Sequence, residues 1–372
     1  MNSPLLGVMT LYLKGKKIDS EELPFFRSLI QHGNRIGLTA FVFTPEDADA
    51  HGKRINGLFY DGSSGKWLRK WTRLPDLVYD RCRGIRSPRF NQMRRFRSSH
   101  SRLLYLNHPI ANKWGVHQLL QENKTTAGNL PETKRYSGAA NLAAFLGKHR
   151  LVFLKPRDGS GGLGIASIER AEDGLYFLKG RDPHRRIIPA KRLKAGDIPG
   201  RLASWGLGPR YIMQQGIPIK LSDNRVHDFR LLLQKNGKGR WELTGIAGRV
   251  GGTGSVTSNL HGGGEAIGFE HLLARRQMHV DKITAVHNEM TQLSLAIAKV
   301  LERRFGRLCE LALDLAVDPN GKVWLLEVNP KPSRDVFRRI GDKEAYRQAV
   351  ESPVDYALWL YHNKGKHNAT ED

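Results

Sequence analysis

The chain has 372 residues, with 60 Lys and Arg against 36 Asp and Glu and a formal net charge of +24 at pH 7. That length exceeds one average domain, and 40% hydrophobic with 26% charged residues is the composition of an ordinary folded protein, so wholesale disorder and fibrous architecture are excluded. The charge favours acidic partners, and two cysteines, Cys82 and Cys309, are too few for a disulfide framework or a cysteine zinc site, so a reducing, cytoplasmic compartment is expected.

The first apolar stretch predicts a buried strand over Leu5 to Leu13, with its basic residues after it, the reverse of a secretory leader. No run of 18 apolar residues occurs, so no membrane-spanning helix is expected. Up to about residue 105, short apolar runs (Leu38 to Phe43, Leu77 to Tyr79) alternate with turn-rich segments such as Asp61-Gly62-Ser63-Ser64-Gly65, which indicates a small α/β domain. Eight arginines (81, 83, 86, 89, 94, 95, 97 and 102) fall within twenty-two positions, and no acid occurs between Arg81 and Gln121. This cluster reads as a solvated basic surface or a docking surface; sparse aromatics and the lack of a reader motif argue against nucleic acid.

A second unit is predicted from Leu106-Asn107-His108-Pro109, with a helix over Ala111 to Leu120 that carries Lys113 and another around Ala139 to Leu146. Three β-rich blocks follow, Leu151 to Lys179, Tyr211 to Arg249 and Leu308 to Asn329. Between the last two, the spacing of Ile283, Val286, Met290, Leu293, Ile297, Val300 and Leu301 predicts a helix over Val280 to Arg304. The tail from Asn363 is expected to fray.

Three places carry candidate chemistry. A strand over Leu151 to Pro156 places Lys155 on the face of Leu151 and Phe153, and Arg157-Asp158-Gly159-Ser160-Gly161-Gly162-Leu163-Gly164 follows at once. Its glycines allow backbone amides to cradle a polyphosphate, but the spacing is neither the Walker nor the dinucleotide pattern, and a flexible hairpin loop is an equal reading. Further on, Asp228 and Arg230 share a strand face and Arg249 ends the next strand; both arginines suit phosphate or carboxylate. A second glycine-rich loop, Ser258 to Glu265, comes after them. Finally, Cys309 to Leu315 and Val323 to Asn329 flank the turn Asp318-Pro319-Asn320-Gly321 and read as a hairpin. A two-residue loop at Asn320 and Gly321 puts Asp314 opposite Glu327, with Asn329 on the same face; a three-residue loop over Pro319 to Gly321 changes that register. Two carboxylates and a carboxamide suit magnesium, and a solvated polar face is the competing reading.

The order of these features resembles the ATP-grasp superfamily, and more narrowly the YheC/YheD group associated with the coat of bacterial endospores. The phrases Leu74 to Arg81, Leu130 to Thr133, Tyr211 to Ile217 and Trp324 to Asn329 carry the resemblance, which runs from the first domain through Pro332. It implies an α/β architecture of two α+β lobes clasping ATP. The expected units are a pre-ATP-grasp domain over 1–105, a lobe with a glycine-rich lid over 106–213, a lobe with the metal site over 214–340, and a C-terminal helix and tail over 341–372.

By the same resemblance, Lys113 and Lys155 contact ATP phosphates, and Gly159, Ser160, Gly161, Gly162 and Gly164 close over them. Gln214, Gln215 and Ile217 meet adenine, and Asp314, Glu327 and Asn329 hold Mg2+. Arg230 and Arg249 steady the transferring phosphoryl group, and Lys331 faces the second substrate. No acid directly follows the connector, where a ribose ligand is often found; Lys220 and Asp223 are the substitutes at hand. The implied reaction is ATP-dependent carboxylate–amine ligation through an acyl-phosphate, releasing ADP; the net positive charge, apart from the resemblance, suggests an acidic peptide as the acceptor class. His227 and His261 are the available general bases, although lone histidines near loops are more often structural. The alternatives are a kinase acting on a hydroxyl, and a basic, polyanion-binding coat protein with a secondary nucleotide site. The expected location is the cytoplasm, of the mother cell, or the coat with its proteins as partners.

Overall fold

The computed structural model describes residues 3–11, 13–14, 17–18, 22–82, 89–159, 163–182, 184, 186–260 and 263–363. All five residues of β1 (Leu5–Met9) are buried, and the strand lies inside a six-stranded sheet, which accounts for a sequence with no polar alternation. The strand expected to reach Leu13 therefore ends four residues earlier; Leu13 belongs to a small ribbon, β2 (Leu13–Lys14) with β3 (Lys17–Ile18). α1 (Leu23–Arg35) leads to β4 (Thr39–Phe43), parallel to β1, and the hairpin of β5 (Arg54–Asp61) and β6 (Lys66–Arg73) extends that side. β7 (Leu77–Asp80) then pairs with the other flank of β1, and α2 (Arg89–Ser99) leads to β8 (Leu104–Tyr105), parallel to β7. α1 packs on one face through Phe25, Phe26, Leu29 and Ile30, and α2 on the other through Met93 and Phe96. The sheet is doubly wound, with order β6-β5-β4-β1-β7-β8 and a reversal between β1 and β7.

α3 (Lys113–Gln121) and α4 (Lys124–Ala127) come next, and they precede the second sheet without packing in its core: Val116, Leu120 and Leu130 join the core of the third sheet. The second sheet is antiparallel, built from β9 (Thr133–Arg135), β10 (Leu151–Pro156), β11 (Ile165–Arg170), β12 (Tyr176–Arg181), β13 (Ile187–Leu193) and β14 (Tyr211–Gln215) in the order β13-β12-β11-β10-β14-β9. α5 (Ala139–Lys148) and α6 (Ile198–Ser204) cover one face through Leu142, Phe145, Leu146, Ile198 and Leu202, against Val152, Leu154 and Met213. The opposite face is left for Lys155.

The third sheet contains β15 (His227–Lys235), β16 (Trp241–Val250), β17 (Glu265–Gly268), β18 (Glu310–Val317) and β19 (Val323–Asn329), in the order β17-β16-β15-β18-β19. α7 (Phe269–Arg275) and the 26-residue α8 (Val280–Phe305) cover its inner face. α8 turns Ile283, Val286, Met290, Leu293, Ile297 and Leu301 inward at spacings of three and four, as its sequence predicts. It stops at Gly306, whose φ of +77° suits a helix terminus.

α9 (Asp335–Arg339) and α10 (Lys343–His362) close the chain, and α10 packs against α1. Cys309, Val350, Val354, Tyr356 and Leu360 share one core with β1, β4 and β7, so the first sheet and the third unit are fused. A buried polar cluster reinforces the junction. Tyr79 Oη donates to Glu310 Oε1 at 2.6 Å, Arg81 Nη1 to the same oxygen at 3.3 Å, and Arg334 Nη2 to Glu310 Oε2. Arg81 and Arg334 also hold the carbonyl of Pro332 at 3.2 and 2.9 Å.

Candidate active site

The register of the β18–β19 hairpin sets the site. Asp318 N–H donates to Lys322 O and Gly321 N–H to Asp318 O, both at 3.0 Å, with Gly321 at φ +87°, which favours glycine. The connection thus runs through Pro319 to Gly321, and it pairs Val317 with Val323 and Leu315 with Leu325. Continued unchanged, that register would put Asp314 opposite Leu326. A bulge at Leu326 takes up one residue, so Asp314 pairs with Glu327 and Ala312 with Asn329.

Asp314 is also the cross-strand partner of Arg230, and Asp228 that of Arg249. Their side chains follow the ladders. Arg230 Nε and Nη2 donate to the two oxygens of Asp314 at 2.6 and 3.2 Å; Arg249 Nε and Nη2 donate to those of Asp228 at 2.7 and 2.6 Å. Arg249 Nη2 lies 3.0 Å from Asp314 Oδ2 as well, and Asn329 Nδ2 stands 3.5 Å from that oxygen. Burial pushes the Asp314 carboxyl up, but Arg230 and then Arg249 outweigh it and hold the group down at about 2.

The other wall comes from α3 and the second sheet. Asn112 caps α3, its Oδ1 accepting from Gly115 N–H at 3.1 Å while its Nδ2 donates to Asp158 at 3.1 Å. This fixes Lys113 on the first turn, where its Nζ donates to Gly159 O and lies 3.2 Å from Glu327 Oε1. Lys155 on β10 donates to Gln214 Oε1 on β14 at 2.5 Å. Burial lowers the Lys155 ammonium to about 8, with Glu327 opposing and Lys113 adding to the effect.

Lys113, Lys155, Gly159, Gln214, Arg230, Arg249, Asp314, Glu327 and Asn329 therefore form one connected set. Gln215 and Ile217 lie beside it: Gln215 N–H donates to Glu132 O at 2.8 Å and its Oε1 accepts from Glu132 N–H at 3.1 Å, while Ile217 is buried. Gly164 has φ +64°, and a Cβ there would come 3.0 Å from Tyr211 Oη. Ser160, Gly161, Gly162 and His261 lie outside the described residues. Lys331 reaches the first sheet, where its Nζ binds Asp80 Oδ1 at 2.7 Å and Cys82 O at 2.9 Å.

His227 has the structural role that lone histidines more often take: its ring is fully buried beside Phe229, on the strand face opposite Asp228 and Arg230, and burial lowers it to about 4, so it stays neutral. One expectation needs correction: the arginine cluster is not one surface. Arg81 is buried, Arg89 pairs with Glu46 at 2.9 Å, Arg97 pairs with Asp80, and Arg94, Arg95 and Arg102 are exposed, while Arg83 and Arg86 lie outside the described residues. The two ribose substitutes are engaged in ion pairs, Lys220 with Glu169 at 2.8 Å and Asp223 with Arg225 at 2.6 Å. A cavity of about 560 Å³ lies elsewhere, between α3, β9 and β19, and shares only Gln215 with the expected nucleotide residues.

Glu310, Arg334 and Asp80 escaped sequence reasoning because each takes its meaning from a partner more than 200 positions away or from burial that no local pattern reveals. The donor set of Asp314, Glu327 and Asn329 is oxygen-based and fits a hard cation. Among the described residues no group of three or more His, Cys, Asp or Glu could hold a metal ion.

The sequence pattern of the family described as YheC/D-like ATP-grasp matches residues 102–360. The chain belongs to this family. It is 27% identical over 363 residues to the endospore coat-associated protein YheD of Bacillus subtilis (strain 168), covering 96% of this chain and 79% of that one. To the endospore coat-associated protein YheC of the same organism it is 24% identical over 352 residues, covering 91% and 93%. Among solved structures, the D-cycloserine synthetase DcsG shares the fold, with a TM-score of 0.54 at 14% identity over 96% of this chain and 99% of that one. The ATP-grasp fold expected from the sequence is the fold observed. No helix of the described residues is long and apolar enough to cross a membrane.

Proposed function

We propose that the protein is an ATP- and Mg2+-dependent carboxylate–amine ligase acting through an acyl-phosphate. One observation carries this reading: the residues expected to hold phosphates and those expected to hold the metal are paired with each other, Lys113 with Glu327, and Arg230 and Arg249 with Asp314. Such a site is largely, though not fully, neutralised when empty and offers both charges to a metal–triphosphate, which brings the complementary pair. Asp314, Glu327 and Asn329 would hold Mg2+, which when bound would screen the charge of the triphosphate.

Lys113 and Lys155 orient the phosphates, Gln214, Gln215 and Ile217 border the base, and Gly159 to Gly164 cover the nucleotide. Arg230 and Arg249 offset charge on the phosphoryl group as the substrate carboxylate attacks its phosphorus and ADP leaves. An amine then displaces phosphate from the acyl carbon. An acidic polypeptide is the acceptor class that a net charge of +24 favours. The coat-associated relatives point to the mother-cell cytoplasm or the coat as the place of action.

Calorimetric titration with a non-hydrolysable ATP analogue, with and without Mg2+, tests the nucleotide half. ADP release trapped by hydroxylamine as a hydroxamate tests the acyl-phosphate. Magnesium-dependent binding lost in Lys155→Ala supports the reading, and no binding by the wild type refutes it. ADP release without hydroxamate would assign a kinase instead.

A further inference from the structure

The edge of a sheet presents backbone N–H and C=O groups ready to pair with another chain. Most edges of the three sheets are short or obstructed. β8, β9 and β17 have two, three and four residues, and β13 contains Pro189. β19 is covered where Leu325 N–H donates to Asn129 O at 2.8 Å and Asn129 Nδ2 donates to Val323 O at 2.9 Å. β6 differs from all of these. It has eight residues and no proline, and among the described residues it forms a ladder with β5 alone. Every second residue therefore turns its N–H and C=O to the open side.

The side chains of β6 point to what covers that side. No acid occurs between Asp61 and Asp76, while the strand carries Lys66, Arg69, Lys70 and Arg73. Arg69 pairs with Asp47 at 2.6 Å and Arg73 with Asp76 at 2.8 Å; Lys66 and Lys70 are exposed and have no carboxylate partner among the described residues. Leu68 and Trp71 are 50% and 53% exposed. Lysines on an edge are a common guard against aggregation, but large exposed apolar side chains beside them work against it, so protection alone does not account for this strand. Leu68 pairs with Phe59, and Lys66, Leu68 and Lys70 share one face in the order cation, apolar, cation.

We infer that β6 is a docking edge for an extended acidic segment of another polypeptide, which joins the first sheet as an added strand. The ladder supplies backbone hydrogen bonds, and two acids flanking an apolar residue at alternate positions meet Lys66, Leu68 and Lys70. That pattern reads the same in either strand direction. A second copy of this chain is the poorer occupant, because β6 against β6 sets like charges side by side. Nucleic acid satisfies the charges but offers no peptide ladder to the open backbone groups. The inference goes beyond the proposed ligase reading and needs no nucleotide.

The test uses the full chain and a capped, fluorescent peptide, Glu-Thr-Val-Thr-Glu-Thr-Val-Thr-Glu, whose acids and valines share one face. Fluorescence anisotropy is expected to show saturable binding, which Leu68→Glu and Lys70→Glu each weaken about tenfold or more while melting temperature and MgADP binding stay unchanged. The same peptide with Lys for Glu is expected not to bind, nor is one N-methylated at every backbone nitrogen, which keeps the charge and cannot donate to a ladder. No binding of the parent peptide, equal binding of the N-methylated form, or unaltered affinity in both variants overturns the docking edge. A dimer in sedimentation that Leu68→Glu dissociates assigns the edge to a second copy instead. An oligothymidylate that displaces the peptide and is itself weakened by Lys70→Glu assigns it to nucleic acid. MgADP is titrated on the same samples, so peptide binding without nucleotide binding refutes the ligase reading alone, and the converse refutes the docking edge alone.

Discussion

Lys155 gives the most direct access to the energetics of the site. Its ammonium is lowered from the ordinary 10.5 to about 8, chiefly by burial. At about 1.4 kcal/mol per pKa unit, keeping that charge in the empty site costs about 3 kcal/mol at pH 7. Between pH about 8 and 10.5 the unfolded chain holds more protons at this position than the folded one, so stability rises with pH across that window by this contribution. Lys155→Met removes the cost, so the variant should be more stable than the wild type at pH 7, and the gap should close as pH approaches 10. Phosphate at Lys155 favours the ammonium and draws the group back toward its ordinary value. At pH 8 about half of the free protein carries the proton there, so MgADP binding should take up about half a proton, and affinity should fall about tenfold per pH unit above 8. Calorimetry in buffers of different ionisation heat reads the uptake. No proton uptake by the wild type at pH 8, or an affinity that does not fall above pH 8, would refute the argument.

Three further outcomes follow from particular contacts. Glu327→Ala should abolish the magnesium dependence of nucleotide binding while leaving the melting temperature within a few degrees; unchanged magnesium dependence in calorimetry would remove Glu327 from the metal site. Glu310→Gln leaves Arg81 and Arg334 buried without their shared carboxylate and should cost about 3–5 kcal/mol in a denaturant titration; a loss below about 1 kcal/mol would show that the junction does not depend on that charge. His227→Leu replaces a buried ring whose two nitrogens have no partner among the described residues, so it should be neutral or stabilising by about 1 kcal/mol and should not change the pH profile of ADP release. A marked change in that profile would restore His227 as a base.

Much of the site was legible because its order along the chain is local: a lysine at a helix start, a lysine before a glycine loop, and acids on one hairpin. The hairpin also shows the limit. Turn chemistry allowed two loops and only one was expected to align Asp314 with Glu327. The structure uses the other loop and recovers the pairing with a bulge at Leu326, a compensation that no turn residue encodes. The arginine cluster misled for a related reason. Arg81 and Arg94 carry the same charge and are thirteen positions apart in sequence, but one is buried against Glu310 and the other faces solvent, and only the distant partner distinguishes them. The packing of α3 was equally hidden: it precedes the second sheet in sequence, but its apolar stripe belongs to the third.

The mutual pairing of cations and carboxylates also decides how the site must be probed. Removing Arg230 alone leaves Asp314 buried with one guanidinium where it had two, and the resulting destabilisation would be read as lost nucleotide affinity. A charge-balanced change avoids this. Arg230→Met with Asp314→Leu replaces a cross-strand ion pair by apolar groups, and Arg249 keeps both of its bonds to Asp228. Such a replacement is often neutral, so the double variant should keep its denaturation midpoint within about 1 kcal/mol. It should nevertheless lose magnesium-dependent nucleotide binding, because both a proposed metal ligand and a proposed phosphate partner are gone. If the double variant binds nucleotide as the wild type does, the pair is a structural rung of the sheet and the proposed exchange of partners does not occur.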